Sequence, residues 1–300
     1  MNIEVKNLVK TYGEQQAVNN ISFQVNKGEI VGFLGPNGAG KSTTMKIITG
    51  YLRPTSGSVL VNNHSVMAHP MESKKRIGYL PESNALYYDM YVKEYLFFLA
   101  GIHQLENRKK RVGEVIEMVG LGVEAHKRIG QLSKGYKQRV GIAGALIHNP
   151  DILILDEPTS GLDPNQIVEI REVIRKWGTD KVVLFSTHIL QEVEAICNRV
   201  IIINKGTIVA NESLANLHKQ NEREQLKIYF AQPVLRSRLE TLKAATEAME
   251  IENNGWLLST SNLEGLRKEV MEMGLSEGIS ITSMQQEKKG LEEIFKSLTT

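Results

Sequence analysis

Three hundred residues are enough for one large domain or two smaller ones around a sizeable core, and a formal charge of +2 with 23% charged residues gives no reason to expect a nucleic-acid partner. The single cysteine, Cys197, rules out an internal disulfide and fits a reducing compartment. No apolar run approaches the ~20 residues of a membrane-spanning helix, and Met1 to Lys6 lacks the apolar core of a secretory signal, so the chain reads as soluble and any membrane role comes through a partner.

Near the N-terminus, Ile3-Glu4-Val5 and Ile21 to Val25 alternate apolar and polar residues, which predicts half-buried strands. Between them Lys10-Thr11-Tyr12-Gly13 forms a turn that presents a ring; Tyr12 either packs at a strand end or stacks on an adenine face. The apolar run Glu29 to Leu34 then feeds Gly35-Pro36-Asn37-Gly38-Ala39-Gly40-Lys41-Ser42-Thr43, and a helical pattern begins at Thr44. Strand, glycine-rich turn and helix in that order are the context of a phosphate-binding loop. Three glycines let successive N–H groups converge on one anion with a helix dipole behind them. Lys41 would reach the β- and γ-phosphates, and the Ser42 hydroxyl would ligate Mg²⁺. Val59-Leu60-Val61 followed by Asn62-Asn63 predicts a hairpin.

Arg76 to Leu80 reads as a short strand stopped by Pro81 and followed by Glu82. From Tyr91 to Gly120 the period is helical, with Val92, Tyr95, Leu96 and Leu99 on one face and Val112, Val115, Ile116 and Val119 on another. The charged run Glu106 to Arg111 reads as a solvated face. Ser133 stands where a helix N-cap belongs, ahead of a helix with Val140, Ala143, Leu146 and Ile147 to one side. It is either an ordinary cap or part of a helix tip open to an anion.

Ile152 to Leu155 is a continuous apolar strand of the kind buried in a parallel sheet, and it ends in Asp156-Glu157. Adjacent carboxylates at that end of a buried strand are costly unless used or paired, and it is the end at which α/β sheets bind ligands. Asp156 is placed to hold Mg²⁺ and Glu157 to orient and deprotonate a water. Thr159 to Pro164 turns into a helix over Gln166 to Trp177. Lys181 to Thr187 is another buried strand, and it delivers His188. Arg199 to Ile203 and Gly206 to Ala210 form a hairpin. After Asn216 the chemistry stops: strands over Gln225 to Phe230, Gly255 to Thr260 and Ile279 to Thr282 mix with helices over Val234 to Ala244, Leu263 to Met273 and Leu291 to Leu298, a small α+β domain.

In this order the motifs of Ile3 to Ala210 resemble the ATP-binding subunits of ABC transporters. Tyr12 resembles the adenine-stacking aromatic and Gly35 to Thr43 the Walker A loop. Leu132-Ser133-Lys134-Gly135-Tyr136 resembles the family signature and Ile152 to Glu157 the Walker B strand with its catalytic glutamate. Ser160 to Asp163 resembles the D-loop, and His188 the switch histidine. The resemblance implies a P-loop α/β fold: a mostly parallel core sheet, an antiparallel β subdomain and a helical subdomain over about 83–149. A nucleotide-binding domain over 1–218 would precede an accessory α+β domain over 219–300. It implies an ATPase with Lys41, Glu157 and His188 as catalytic residues and Ser42, Glu82 and Asp156 around Mg²⁺. ATP would be bound by Tyr12, by residues 35–43, and by Ser133, Gly135 and Asp163. In the family, two cassettes close head-to-tail, each ATP lying between one Walker A loop and the opposite signature. One set of motifs therefore implies a homodimer or a homologous partner, held at the inner face of the cell membrane by an integral permease.

Two departures stand out. Glu82 replaces the usual Gln, and Ser133-Lys134-Gly135-Tyr136 replaces Ser-Gly-Gly-Gln. Tyr-Leu-Pro-Glu, Leu-Ser-Lys-Gly-Tyr and the appended tail are similar to ABC-2-type exporter subunits, including drug exporters, and most to the gliding-motility-associated branch. The tail either makes partner contacts or is a passive cap. The rival class is a soluble ABC-type ATPase acting on ribosomes or DNA; it usually carries paired cassettes, a long coiled coil or a strong basic patch, none of which this sequence has. A non-hydrolysing regulator would lack Lys41 or Glu157, and both are present.

Overall fold

The computed structural model describes residues 2–220, 224–287 and 295. Two long strands open it, β1 (Ile3–Tyr12) and β2 (Gln15–Val25), joined at Gly13, where φ is +56°. They run well beyond the alternating cores that predict them, because their pairing continues through bulges to Tyr12 opposite Gln15. Next come β3 (Ile30–Leu34), buried at all five positions, and α1 (Lys41–Ile48). The strands β4 (Ser56–Val61) and β5 (His64–Ser65) form the expected hairpin. After α2 (Pro70–Lys74), β6 (Ile77–Leu80) stops before Pro81, which has no N–H for the ladder.

A helical insert follows: α3 (Val92–Ile102), α4 (Arg108–Met118), a 3₁₀ turn over Ile129–Gln131 and α5 (Lys134–Leu146). Its inward residues are those of the helical period, Val92, Tyr95, Leu96, Val112, Val115 and Ile116. The charged run that opens α4, Glu106 to Arg111, is solvated as expected except at Arg111. That guanidinium turns inward and donates to Leu146 O at 2.7 Å and Ile147 O at 2.9 Å, satisfying carbonyls at the end of α5. The chain then alternates β7 (Ile152–Asp156), α6 (Pro164–Gly178), β8 (Val182–Thr187) and α7 (Leu190–Ile196). The hairpin β9 (Arg199–Asn204) and β10 (Thr207–Ser213) leads to α8 (Leu214–Gln220).

Two sheets make the first compact unit, which ends at Leu214. One is antiparallel, ordered β2-β1-β4-β5; the other, ordered β10-β9-β3-β8-β7-β6, is parallel except at its β10 edge. Side chains of β3, β7 and β8 are almost wholly buried on both faces, one against α1 and the antiparallel sheet, the other against the insert and α6. At about 1.5–3 kcal/mol per large aliphatic side chain, that burial fixes where each strand ends. The glycine loop, Asp156-Glu157 and His188 lie at the carboxyl ends of β3, β7 and β8 respectively, the end at which such sheets bind ligands.

The second unit, from Ala215 onward, is a four-stranded antiparallel sheet ordered β12-β13-β11-β14 with its own core against α10. Its elements are β11 (Glu224–Phe230), α9 (Arg236–Leu239), β12 (Glu247–Ile251), β13 (Gly255–Thr260), α10 (Leu263–Glu277) and β14 (Ile281–Glu287). Here the sequence reading needs correcting. The helix expected over Val234 to Ala244 is one turn, since Leu239 and Leu242 reach the core from a turn rather than from a long helix. The edge strand β12 has no counterpart among the predicted elements. The helix expected over Leu291 to Leu298 lies outside the described residues, save Phe295.

Candidate functional site

The glycine loop rises from β3 into α1, and two contacts explain its shape. A side chain at Gly40, at φ +105°, would lie 2.4 Å from Ala17 O; one at Gly35 would lie 2.3 Å from Ile203 O. Only glycine lets β2 and β9 approach so closely. The β2 approach sets Tyr12 and Gln15, at the β1–β2 tip, beside the loop. The result is a cleft of about 430 Å³ lined by Tyr12, Asn37, Gly38, Gly40, Lys41, Ser42, Thr43, Glu82, Glu157 and His188, among others. Tyr12 is half exposed, with the Lys10 ammonium 5.1 Å from its ring centre.

Lys41, the first residue of α1, folds back so that Nζ donates to Gly35 O at 2.8 Å and Pro36 O at 3.2 Å and pairs with Glu157 Oε1 at 3.3 Å. The other Glu157 oxygen, Oε2, meets His188 Nδ1 at 2.9 Å. Glu157 has φ +50°, a left-handed conformation rarely adopted by residues other than Gly, Asn and Asp. It is held there by β8: its N–H donates to Ser186 O at 3.2 Å and Ser186 Oγ at 3.0 Å. Strain of this kind persists only where the surroundings over-determine it.

Asp156 is 1% exposed. Its Oδ1 accepts from Ser42 Oγ at 3.1 Å and Ser186 Oγ at 2.5 Å, while Oδ2 is buried without a hydrogen-bond partner. A buried carboxylate with one oxygen left open and the other bound to a serine hydroxyl is the kind of oxygen donor set a hard divalent cation prefers, and Glu82 lines the same cleft as that serine. The residues present therefore fit Mg²⁺. Tyr79 lies on the neighbouring strand β6; burial, with Asp156 adding to it, pushes its phenol ionisation up.

Three expected nucleotide contacts stand elsewhere. Ser133 caps α5, its Oγ accepting from Tyr136 N–H at 3.4 Å, and Asp163 caps α6, accepting from Gln166 N–H at 2.9 Å. Gly135 presses on Gln166 so closely that a side chain there would lie 2.4 Å from the amide carbon. Lys134 reaches over Gly161, and Gln138 Nε2 donates to Pro158 O at 2.8 Å. None of Ser133, Gly135 and Asp163 lines the cleft that holds Lys41. Ser186, which aligns both carboxylate residues, was not anticipated; its only sequence signal is a polar pair, Ser186-Thr187, ending an apolar strand.

The family model for ABC transporters matches residues 18–160. The chain is 36% identical over 295 residues to an ABC transporter ATP-binding protein of Bacillus subtilis, YxlF, covering 98% of each. It is 34% identical to the bacitracin transport ATP-binding protein BcrA of Bacillus licheniformis, over 99% of this chain and 96% of that one. Among solved structures it is similar to a dimeric bacterial ABC transporter cassette at 30% identity and a TM-score of 0.66, covering 71% of this chain and 98% of the cassette. A post-hydrolysis dimer of the same cassette, bound to ADP and Pi, matches at 30% identity and a TM-score of 0.65, covering 71% of this chain and 98% of the cassette.

Proposed function

The chain belongs to the ABC transporter family as an ATP-hydrolysing, ATP-binding subunit, and we propose that it drives export through a separate ABC-2-type permease by closing head-to-tail with a second cassette. The observation that carries the chemistry is Glu157 held between Lys41 and His188 at the mouth of a glycine cradle. In this reading the loop N–H groups and Lys41 bind the β- and γ-phosphates. Glu157 orients the attacking water and takes its proton, and His188 holds the Glu157 carboxylate and contacts the γ-phosphate. Ser42 and Asp156, with Glu82 at the rim, would hold Mg²⁺, which when bound neutralises charge on the phosphoryl oxygens. Tyr12 stacks on adenine, its ring already half exposed beside the loop.

Ser133, Gly135 and Asp163 serve the nucleotide of the partner cassette. This is supported by their position outside the cleft that holds Lys41 and by the dimeric form of a similar cassette. The partner is a second copy or a homologous subunit. For the permease contact the insert offers an aromatic surface: Tyr87, Tyr88 and Tyr91 are about half exposed, and Tyr87 meets the Phe98 ring at 6.0 Å. No described helix is long and apolar enough to cross a membrane, so attachment at the inner face of the membrane would run through that surface. The Tyr79-Leu80-Pro81-Glu82 and Leu132 to Tyr136 segments favour the gliding-motility-associated branch among such exporters. Loss of surface spreading with unchanged drug tolerance on deletion would support that placement.

One experiment tests the central reading. Glu157→Gln chain given ATP and Mg²⁺ is expected to form dimers on sedimentation and to co-purify with an integral membrane protein. Recovery with ribosomes or DNA instead, or no nucleotide-dependent pairing even with the permease supplied, would overturn it.

A further inference from the structure

Glu192, on α7, is a buried carboxylate to which the hydrolytic scheme assigns no task. It is 1% exposed. Thr159 Oγ1 donates to its Oε1, and Thr187 Oγ1 donates to its Oε2 at 2.7 Å. Thr187 Oγ1 also accepts from Ile189 N–H at 3.0 Å, which fixes the direction of that hydroxyl proton. Both threonines are buried, at 5% and 0% exposure.

Their places in the chain give the arrangement its meaning. Thr159 lies two residues after Glu157, and Thr187 immediately precedes His188. One carboxylate therefore grips the two segments that carry the Glu157–His188 contact of 2.9 Å. Withdrawing a carboxylate from water is costly, and apolar side chains could join α7 to these loops without that cost. What an apolar joint would lack is direction: two charge-assisted hydrogen bonds hold the turn after β7 and the end of β8 at a set distance. At Glu157 the left-handed backbone is tied to β8 through Ser186, so its position depends on how the following turn is held. Thr159, two residues on, ties that turn to α7 through Glu192.

We infer that Glu192 is a positioning residue for hydrolysis: by clasping Thr159 and Thr187 it sets the separation of Glu157 from His188. The inference rests on the reading of Glu157 as the base. It predicts a loss of turnover without loss of nucleotide binding when the clasp is opened.

Thr159→Val and Thr187→Val remove each hydroxyl at nearly constant volume. In the full chain each is expected to lower kcat about tenfold with the KM for ATP unchanged. The double variant is expected to be little worse than either single, because both act through one carboxylate. Thr→Ser at either position keeps the hydroxyl and should keep wild-type turnover. A second readout needs no turnover: Glu157→Gln should displace the His188 ring NMR resonance in the wild-type background, and displace it much less when Thr159 or Thr187 is Val. Wild-type kcat in both Val variants with the His188 response intact would overturn the inference, as would independent, multiplicative losses. If Glu157→Gln itself leaves turnover unchanged, the base assignment fails instead, and the NMR response still reports whether the clasp exists.

Discussion

The Lys41 ammonium lies 3.3 Å from Glu157 Oε1, with both side chains more than nine-tenths buried. A buried pair of this kind adds little when intact, but it is expensive to break from one side, because the survivor is left charged and desolvated. Lys41→Met is therefore expected to lose ATP binding and about 3 kcal/mol of stability. Lys41→Met with Glu157→Gln should regain much of the stability and none of the activity. Urea midpoints beside ATP titrations check both halves; equal midpoints for the single and double variants would show that the pair is immaterial to stability.

Glu157→Gln alone keeps the size of the side chain and one acceptor for His188. Turnover should fall by about 10²–10⁴ with ATP affinity retained, the signature of a group that acts on the water. Steady-state hydrolysis and equilibrium nucleotide binding on one preparation decide it.

Glu82 lines the cleft as a carboxylate where the resembling family has an amide. At high effective dielectric one extra charge near the triphosphate costs only about 1 kcal/mol at 4 Å. Glu82→Gln should thus retain ATPase activity. Abolished turnover would mean that the carboxylate is itself required.

Tyr12 offers its ring from the tip of a hairpin rather than from a core. Tyr12→Ala should weaken ATP binding by ~1–3 kcal/mol, and Tyr12→Trp should restore it, as expected for face-to-face stacking on adenine. If Ala and Trp bind ATP alike, the tyrosine packs a strand end and nothing more.

His148 stacks on His103 at 4.0 Å, with its Nε2 3.1 Å from Ile77 O, and burial holds its pKa down at about 4. The folded chain thus resists a proton that the unfolded chain accepts near pH 6.5. The contribution of His148 to stability is complete above about pH 6.5 and declines as pH falls towards 4. Replacing it with Phe should flatten the denaturation midpoint across that window. An unchanged slope would assign the acid sensitivity to other groups.

The phosphate loop was legible because its residues are contiguous: spacing alone dictates a strand, three glycines and a helix start. The same holds for Asp156-Glu157 and for His188, each delivered by an unbroken apolar run. What escaped the sequence reading depends on long-range partners. Ser186 matters because β8 lies beside β7, bringing it opposite Asp156. Arg111 sits in a charged run that reads as solvent-facing, yet it caps a helix 35 residues away. The edge strand β12 buries little beyond Ala248, so Glu247, Met249 and Glu250 hide its period. The turn around Leu239 and Leu242 carries helical spacing without enough of it to nucleate a long helix.

The bond from Gln138 to Pro158 has a mechanical corollary. It fastens the first turns of α5 to the residue beside the base, and Gly135 against Gln166 and Lys134 over Gly161 close the remaining slack. Side-chain contacts thus join the start of α5 to the turn beside the base at three points, so a displacement of α5 bears directly on Pro158. If the proposed permease docks on the insert, Gln138→Ala, which removes one of those points, is expected to leave basal ATP hydrolysis in place and to shrink its response to added permease, read as the ratio of hydrolysis rates with and without it.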